Sequence, residues 1–173
     1  GMDTELHLTI NGGDIAIRSQ NDGINTNEDG VSVTTINGGN VHIIAGLGTE
    51  GDGIDSNGYL VINGGTVVAS ANPMLDAGLD SDLGSFINGG LVAAFGSVMD
   101  WPETDSRQVT MNLQFSQRQN GPLEITAEDG TEVFSFDPVS DPILKDYDRG
   151  YQGVVVSCPG FRVGDSYGVA VNG

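Results

Sequence analysis

Tyr59-Leu60-Val61-Ile62-Asn63-Gly64-Gly65-Thr66-Val67-Val68-Ala69 decides how this chain folds. Apolar side chains alternate on either side of an Asn-Gly-Gly triplet, which is the period-two pattern of half-buried strand interrupted by a turn. The central tetrapeptide, Ile-Asn-Gly-Gly, occurs four times, at Ile10–Gly13, Ile36–Gly39, Ile62–Gly65 and Ile87–Gly90. Successive copies lie 26, 26 and 25 residues apart, a fixed period that signals a solenoid. The first copy is flanked in the same way, by Leu6-His7-Leu8-Thr9-Ile10 and Asp14-Ile15-Ala16-Ile17-Arg18.

Asn-Gly also marks hairpins, so an antiparallel arrangement competes with a coil. Separate hairpins would be isolated two-stranded sheets without a shared core, each marginal alone. One coil per repeat instead stacks like on like and buries a continuous apolar column. It also gives Asn11, Asn37, Asn63 and Asn88 a reason to sit in phase, as an amide ladder with rungs about 4.8 Å apart. Glycine at such a corner accepts positive φ. A leucine-rich horseshoe is excluded by the absence of its leucine spacing and of any helical period. The expected fold is all-β, a single parallel β-helix of about 26-residue coils. Residues 1–97 form the coils, and 98–173 supply final strands and a cap within the same continuous domain. In that second part, 98–108 reads as a loop and 109–136 as strands around a turn at Glu128-Asp129-Gly130. Gln152–Val171 reads as two strands bracketing Pro159-Gly160 and Val163-Gly164-Asp165. Such a cap keeps the last strand edges from pairing with other chains.

Composition agrees. Glycine contributes 27 of 173 residues and charged side chains only 17%, which suits tight turns and not a helical bundle. Asp and Glu number 24 against 6 Lys and Arg, a formal net charge of −18. Nucleic acid and anionic membranes would be repelled by that charge. It suits either a soluble acidic surface or a protein that holds several divalent cations. Cys158 is the only cysteine, so no internal disulfide forms, and its place in the run Val154-Val155-Val156-Ser157-Cys158 reads as a small buried hydrophobe. No apolar stretch is long enough to span a bilayer, and no signal peptide is present. Gly1 directly before Met2 reads as a residue left by removal of a fused tag, so the chain is taken as a trimmed piece of a longer protein.

A second motif runs in step with the first. Asp22-Gly23-Ile24-Asn25-Thr26-Asn27 aligns with Asp52-Gly53-Ile54-Asp55-Ser56-Asn57 and with Ala77-Gly78-Leu79-Asp80-Ser81-Asp82. The glycine stands 9 residues before the next Ile-Asn-Gly-Gly in the last two copies and 13 in the first, which places a small insertion near Glu28–Val31. Stacking puts Asn25, Asp55 and Asp80 in one column, Asn27, Asn57 and Asp82 in another, and Asp22 and Asp52 in a third with Asp76 close by. Carboxylates about 5 Å apart at an effective dielectric near 20 repel by about 3 kcal/mol per pair. Protonation or a cation must relieve this, and an all-oxygen donor set at neutral pH points to calcium. The competing reading is plain turn chemistry, since Asp, Asn and Ser close turns by bonding their own backbone. The spacing is neither that of an EF-hand nor that of the nonapeptide calcium repeat.

Residues for covalent or acid–base catalysis are scarce. His7 and His42 lie on strands at different phases, so a zinc pair is not expected and each reads as a solvent-facing strand histidine. No nucleophile elbow or phosphate loop occurs. A polysaccharide lyase would need Arg or Lys beside the acidic columns, yet Arg18 is the only basic residue before Arg107, and Lys145 and Arg149 fall in the cap. Paired carboxylates for a glycosidase are available, but their repetition argues for ligation over two differentiated roles. Trp101, the single tryptophan, either stacks on a sugar from its loop or closes the end of the apolar column.

The order of these motifs resembles a known family. Repeated Asp-Gly-Ile-(Asp/Asn)-(Ser/Thr)-Asn followed by Ile-Asn-Gly-Gly-Thr-Val is similar to the bacterial calcium-dependent carbohydrate-binding β-helix domain. So is the ending, Val133-Phe134-Ser135-Phe136-Asp137-Pro138, Tyr151–Pro159 and Val163-Gly164-Asp165-Ser166-Tyr167. The resemblance covers nearly the whole chain. It implies a right-handed parallel β-helix like that of pectate lyases, calcium between coils, and a place outside the cell or on the bacterial cell surface. It also implies binding of cellulose or acidic pectic polysaccharide without catalysis. The positions it carries over as calcium ligands are Asp22, Asn25, Asp52, Asp55, Asn57, Asp80 and Asp82. Ala77 departs from the motif's leading Asp, and the chain lacks coils that full-length members carry in front. The expected function is a non-catalytic carbohydrate-binding module with structural or bridging calcium. A structural surface stalk or adhesin is the alternative, and a lyase comes third.

Overall fold

The structure is a computed structural model, and it describes residues 1–97, 100–138, 140–141 and 149–172. Each Ile-Asn-Gly-Gly repeat is one coil of a β-solenoid, and each coil carries three strands. Coil one holds β1 (Met2–Thr4), β2 (His7–Ile10) and β3 (Asp14–Arg18), and coil two β4 (Ile24–Thr26), β5 (Val33–Ile36) and β6 (Asn40–Ile44). Coil three holds β7 (Ile54–Ser56), β8 (Tyr59–Ile62) and β9 (Thr66–Ser70), and coil four β10 (Leu79–Ser81), β11 (Gly84–Ile87) and β12 (Leu91–Gly96). Like strands stack in parallel as three sheets, β1-β4-β7-β10, β2-β5-β8-β11 and β3-β6-β9-β12. No helix occurs among the described residues.

Register follows the repeat. Ile10, Ile36, Ile62 and Ile87 pair in one column, and Ile15, Val41, Val67 and Val92 in another. Inward side chains of all three sheets merge into a single aliphatic core in which Ile24, Ile36, Ile54, Leu60, Ile62, Leu79 and Ile87 are inaccessible to solvent. Burying each such side chain contributes about 1.5–3 kcal/mol, so the coil is held chiefly by its stacked aliphatics. A short polar chain runs through this interior, with the Thr26 hydroxyl donating to Ser56 Oγ at 2.8 Å.

The corners explain the recurring residue types of the repeat. Gly65 turns the coil at φ +88°, and a Cβ there would stand 2.5 Å from Gly39 O. Outside that corner Asn37 donates to Asn11, Asn63 to Asn37 and Asn88 to Asn63, at 2.8–2.9 Å. The expected amide ladder is complete over four rungs. The insertion of coil two is also in place, between β4 and β5, with the N–H of Val31 and Ser32 closing on Glu28 O.

The remaining strands are β13 (Thr110–Gln119), β14 (Leu123–Ala127), β15 (Glu132–Phe136), β16 (Tyr151–Ser157) and β17 (Tyr167–Val171). β16 adds antiparallel to β12 and β13 adds antiparallel to β16, prolonging the third sheet beyond the last coil. β15, β14 and β17 form a separate antiparallel sheet in that order. This corrects the expected layout of 109–136: a turn at 120–122 divides β13 from β14, in addition to the one at Glu128–Gly130. The β15-β14-β17 sheet contributes to a core of its own on the outer face of the third solenoid sheet. Val154 and Val156 of β16 point into it while Val155 points into the coil. Phe95 stacks on Phe136 with ring centres 4.4 Å apart, and Tyr151 meets Phe95 edge-on. Cys158 is buried there, as its apolar run implies.

That outer cover overturns the reading of His42. Its phase on β6 is outward, but the C-terminal part lies over that face, and His42 Nε2 sits half-buried 3.1 Å from Asp141 Oδ2. Of the loop expected at 98–108, residues 100–108 carry no strand, while 98 and 99 lie outside the described residues. Lys145 also lies outside them.

Candidate metal centre

The second motif is strand, not turn. Ile24-Asn25-Thr26, Ile54-Asp55-Ser56 and Leu79-Asp80-Ser81 are β4, β7 and β10, with their first and third side chains buried in the coil and the middle one outward. The preceding glycine is required by close approach: a Cβ on Gly53 would fall 2.3 Å from Gly78 O and 2.9 Å from Ala69 Cβ. The outward residues align as Asp3, Asn25, Asp55 and Asp80. Met2-Asp3-Thr4 therefore starts the column, one rung earlier than expected. Its apolar–acid–hydroxyl pattern is the same and could have revealed it.

Asp22 and Asp52 occupy the corner just before these strands and are tied to the next coil. Asp22 Oδ1 accepts the N–H of Asp52 at 2.9 Å, and Asp52 Oδ1 accepts that of Ala77 at 2.6 Å. Asp76 Oδ2 accepts the N–H of Gly51 at 2.7 Å. Turn chemistry and ligation are thus compatible, because each of these backbone bonds engages one oxygen of its carboxylate.

Carboxylate oxygens of Asp22, Asp52 and Asp55 converge within 4.8 Å of one another. Asn25 Nδ2 donates to Asp22 Oδ2 at 3.2 Å, and Asn25 Oδ1 is buried with no hydrogen-bond partner. Asp80 lies one strand further along, in a depression of about 190 Å³ lined by Asp52, Asp76, Asp80 and Asp100. Asp100 comes from the loop after the last coil, and nothing in its surroundings in the chain signals that it meets the column. Asn57 and Asp82 follow the strands in register with Asn27, but outside the convergent group. Asn57 Nδ2 is engaged by Asn27 O and Asp29 Oδ1, and Asn27 Nδ2 by Asp3 Oδ1.

The electrostatics follow from crowding. Burial pushes Asp52 up to about 7, aided by the charges of Asp76, Asp55 and Asp22 and opposed by the Ala77 N–H. Burial, then the charges of Asp22 and Asp82, takes Asp55 to about 6. Burial and a hydrogen bond to Asp100 take Asp80 to about 8, with the charges of Asp52, Asp100 and Asp55 adding to it. Among the described residues none of these carboxylates has an ion-pair partner. All three lose their protons well above the usual carboxylate range, so a divalent cation binding near neutral pH competes with protons there. The donors are all hard oxygens, so the residues present fit such an ion.

The chain matches no protein-family model, and no curated protein or solved structure is significantly similar to it. The site must be read from its own geometry.

Among the described residues, basic side chains stand apart from the column. Arg18 is exposed at the end of β3. Arg149 is buried and donates through its guanidinium to Ala45 O and to Ala71 O, the latter at 3.0 Å. It staples coils two and three where the third sheet ends. Trp101 is 45% exposed and is not part of the aliphatic core inside the coil.

Proposed function

We propose that this chain is a non-catalytic carbohydrate-binding module that holds calcium on its acidic column and meets acidic polysaccharide through the cation. The observation that carries this reading is the convergence of Asp22, Asp52 and Asp55 with no counter-charge beside them among the described residues. Those three carboxylates and Asn25 Oδ1 would hold the ion, while Asp80, Asp76 and Asp100 offer a second set of oxygens one coil on. Calcium supplies positive charge that a chain of net charge −18 otherwise lacks for a pectic, uronate-bearing glycan. The resemblance of the repeat to calcium-dependent carbohydrate-binding β-helices supports the same reading, and with it a location outside the cell or on the cell surface.

Affinity electrophoresis through polygalacturonate gels tests it, run with calcium and again with a chelator. Retardation only with calcium is expected, and Asp55→Asn should abolish it. Equal mobility in both gels would leave the structural-stalk reading, in which the acidic column only stiffens the solenoid. A rise in ultraviolet absorbance on polygalacturonate would favour a lyase instead.

A further inference from the structure

The cap closes the solenoid but leaves a strand edge of its own. Sheet edges are ordinarily protected by charge, proline or a bulge. β15 opens on Glu132, and its pairing with β14 slips between Ile125 and Thr126. β13, the border of the third sheet, slips between Gln114 and Gln119. β17 has none of these devices. Tyr167-Gly168-Val169-Ala170-Val171 is uncharged in a chain of net charge −18, and it pairs with β14 along its whole length without a shift. The Asn172 N–H donates to Pro122 O at 2.9 Å, which fixes the alternation of this antiparallel ladder. Gly168 and Ala170 exchange bonds with β14, so the N–H and C=O groups of Tyr167, Val169 and Val171 point to the open side. The side chains of those same residues share a face with Leu123, Ile125 and Phe134 of the second core. Val169 stands beside the fully buried Ile125 yet is 40% exposed, so that core runs out uncovered at the border.

We infer that β17 pairs with β17 of a second copy of this chain, antiparallel about a two-fold axis at Val169. Large and small residues alternate symmetrically about that position. The register sets Val169 against its own counterpart, Tyr167 against Val171 and Gly168 against Ala170. Each outward N–H then meets an outward C=O, in the reciprocal pairs of an antiparallel ladder. The large side chains join the two uncovered cores, and the small ones keep the other face flat. Charge favours this strand over the rest of the surface, because two copies of so acidic a chain repel wherever their carboxylates meet. Glu124 is the acid paired across from β17, and it lies on the small-residue face beside Ala170, away from the joined cores. Such a contact is isologous and closes after two copies, so it yields a dimer and not a fibre. The dimer carries two acidic columns, and its formation does not depend on what those columns bind.

Sedimentation velocity in chelator tests this, over protein concentrations from about 0.02 to 2 mM. So short a border is a small contact, and the expected dissociation constant is about 0.1–1 mM. Raising sodium chloride to about 0.5 M should tighten it several-fold, as the net charge is screened. Val169→Pro removes an N–H that β14 does not use, so the monomer should keep its circular dichroism while the dimer is lost. Val169→Lys leaves the backbone intact and should also abolish the dimer, by placing like charges together at the two-fold axis. In the paired strands the two Val169 Cα atoms stand about 5.5 Å apart, within reach of a disulfide. Val169→Cys should therefore oxidise rapidly to a covalent dimer, whereas Val163→Cys, 89% exposed in the preceding loop, should not. The native Cys158 is buried and gives no background. A monomer at every concentration overturns the inference and leaves the edge to a strand from a different protein. A dimer that survives both Val169→Pro and Val169→Lys, or equal cross-linking of the two cysteine variants, overturns it in favour of another face.

Discussion

Asp80 of the last coil and Asp100 of the loop that follows it face one depression, close enough for their carboxyl groups to hydrogen-bond when one is protonated. One of the two must carry a proton for that bond to form, so the contact belongs to the protonated, cation-free state.

A pH dependence of stability follows. In the unfolded chain Asp52, Asp55 and Asp80 lose their protons near 3.8, whereas in the folded protein they hold them to about 7, 6 and 8. Between about pH 4 and pH 8 the folded state therefore binds more protons, and stability falls as pH rises through that window. Thermal melts in chelator should show Tm declining from pH 5 to pH 8 and levelling above it. Saturating calcium should raise Tm most at pH 8 and least at pH 5. A calcium effect independent of pH would mean that the ion does not displace these protons.

Replacing Asp55 by Asn removes one of the three convergent charges while keeping the shape. Calcium affinity measured by calorimetry should drop about tenfold or more, a loss of at least 1.4 kcal/mol. In chelator at pH 8 the same variant should melt a few degrees higher, because about 1 kcal/mol of desolvation and repulsion at a half-buried carboxylate is relieved. A variant that melts lower in chelator would mean that the carboxylate is held by favourable contacts, contrary to the crowding described above.

Asn63 occupies an inner rung, donating to Asn37 and accepting from Asn88. Asn63→Ala should cost about 1 kcal/mol in urea unfolding, the yield of two exposed amide bonds. Asn11, at the end of the ladder, only accepts from Asn37, and its alanine variant should cost about half as much. Equal and negligible costs would reduce the ladder to a by-product of register.

Arg149→Met keeps the length of the side chain but abandons the carbonyls of Ala45 and Ala71. Leaving those acceptors in a dry corner should cost about 3 kcal/mol, and Arg149→Lys should not restore it, since an ammonium lacks the planar fork that spans two coils. Full rescue by Lys would show that charge alone suffices there.

The coil was legible because its determinants are local and periodic: a glycine where backbones touch, an asparagine outside it, and aliphatics at period two. Three-residue strands were harder to read. Ile54-Asp55-Ser56 is too short to display alternation by itself, so turn chemistry competed with strand until register placed Asp55 between Asn25 and Asp80. Asp3 was missed although its strand repeats the pattern, because only Gly1 of the leading Asp-Gly pair stands before it. Asp100, His42 and Arg149 depend on contacts between segments far apart in the chain, and no spacing encodes those. The cap was foreseen as a role for the C-terminal third, but not the extra turn at 120–122 nor the second core, whose apolar residues come from both parts of the chain.

Uniform register from Ile10 to Ile87 gives the coil the character of a ruler mark. Duplicating residues 37–62 would lengthen the molecule by one strand spacing and leave the joints with β13 and β16 unchanged. It would also add one asparagine to the ladder and one acid to the column in the same step. Length and valency for cations are therefore counted in the same unit, and a protein of this design can be graded in avidity by copying a single segment, with no new site to invent.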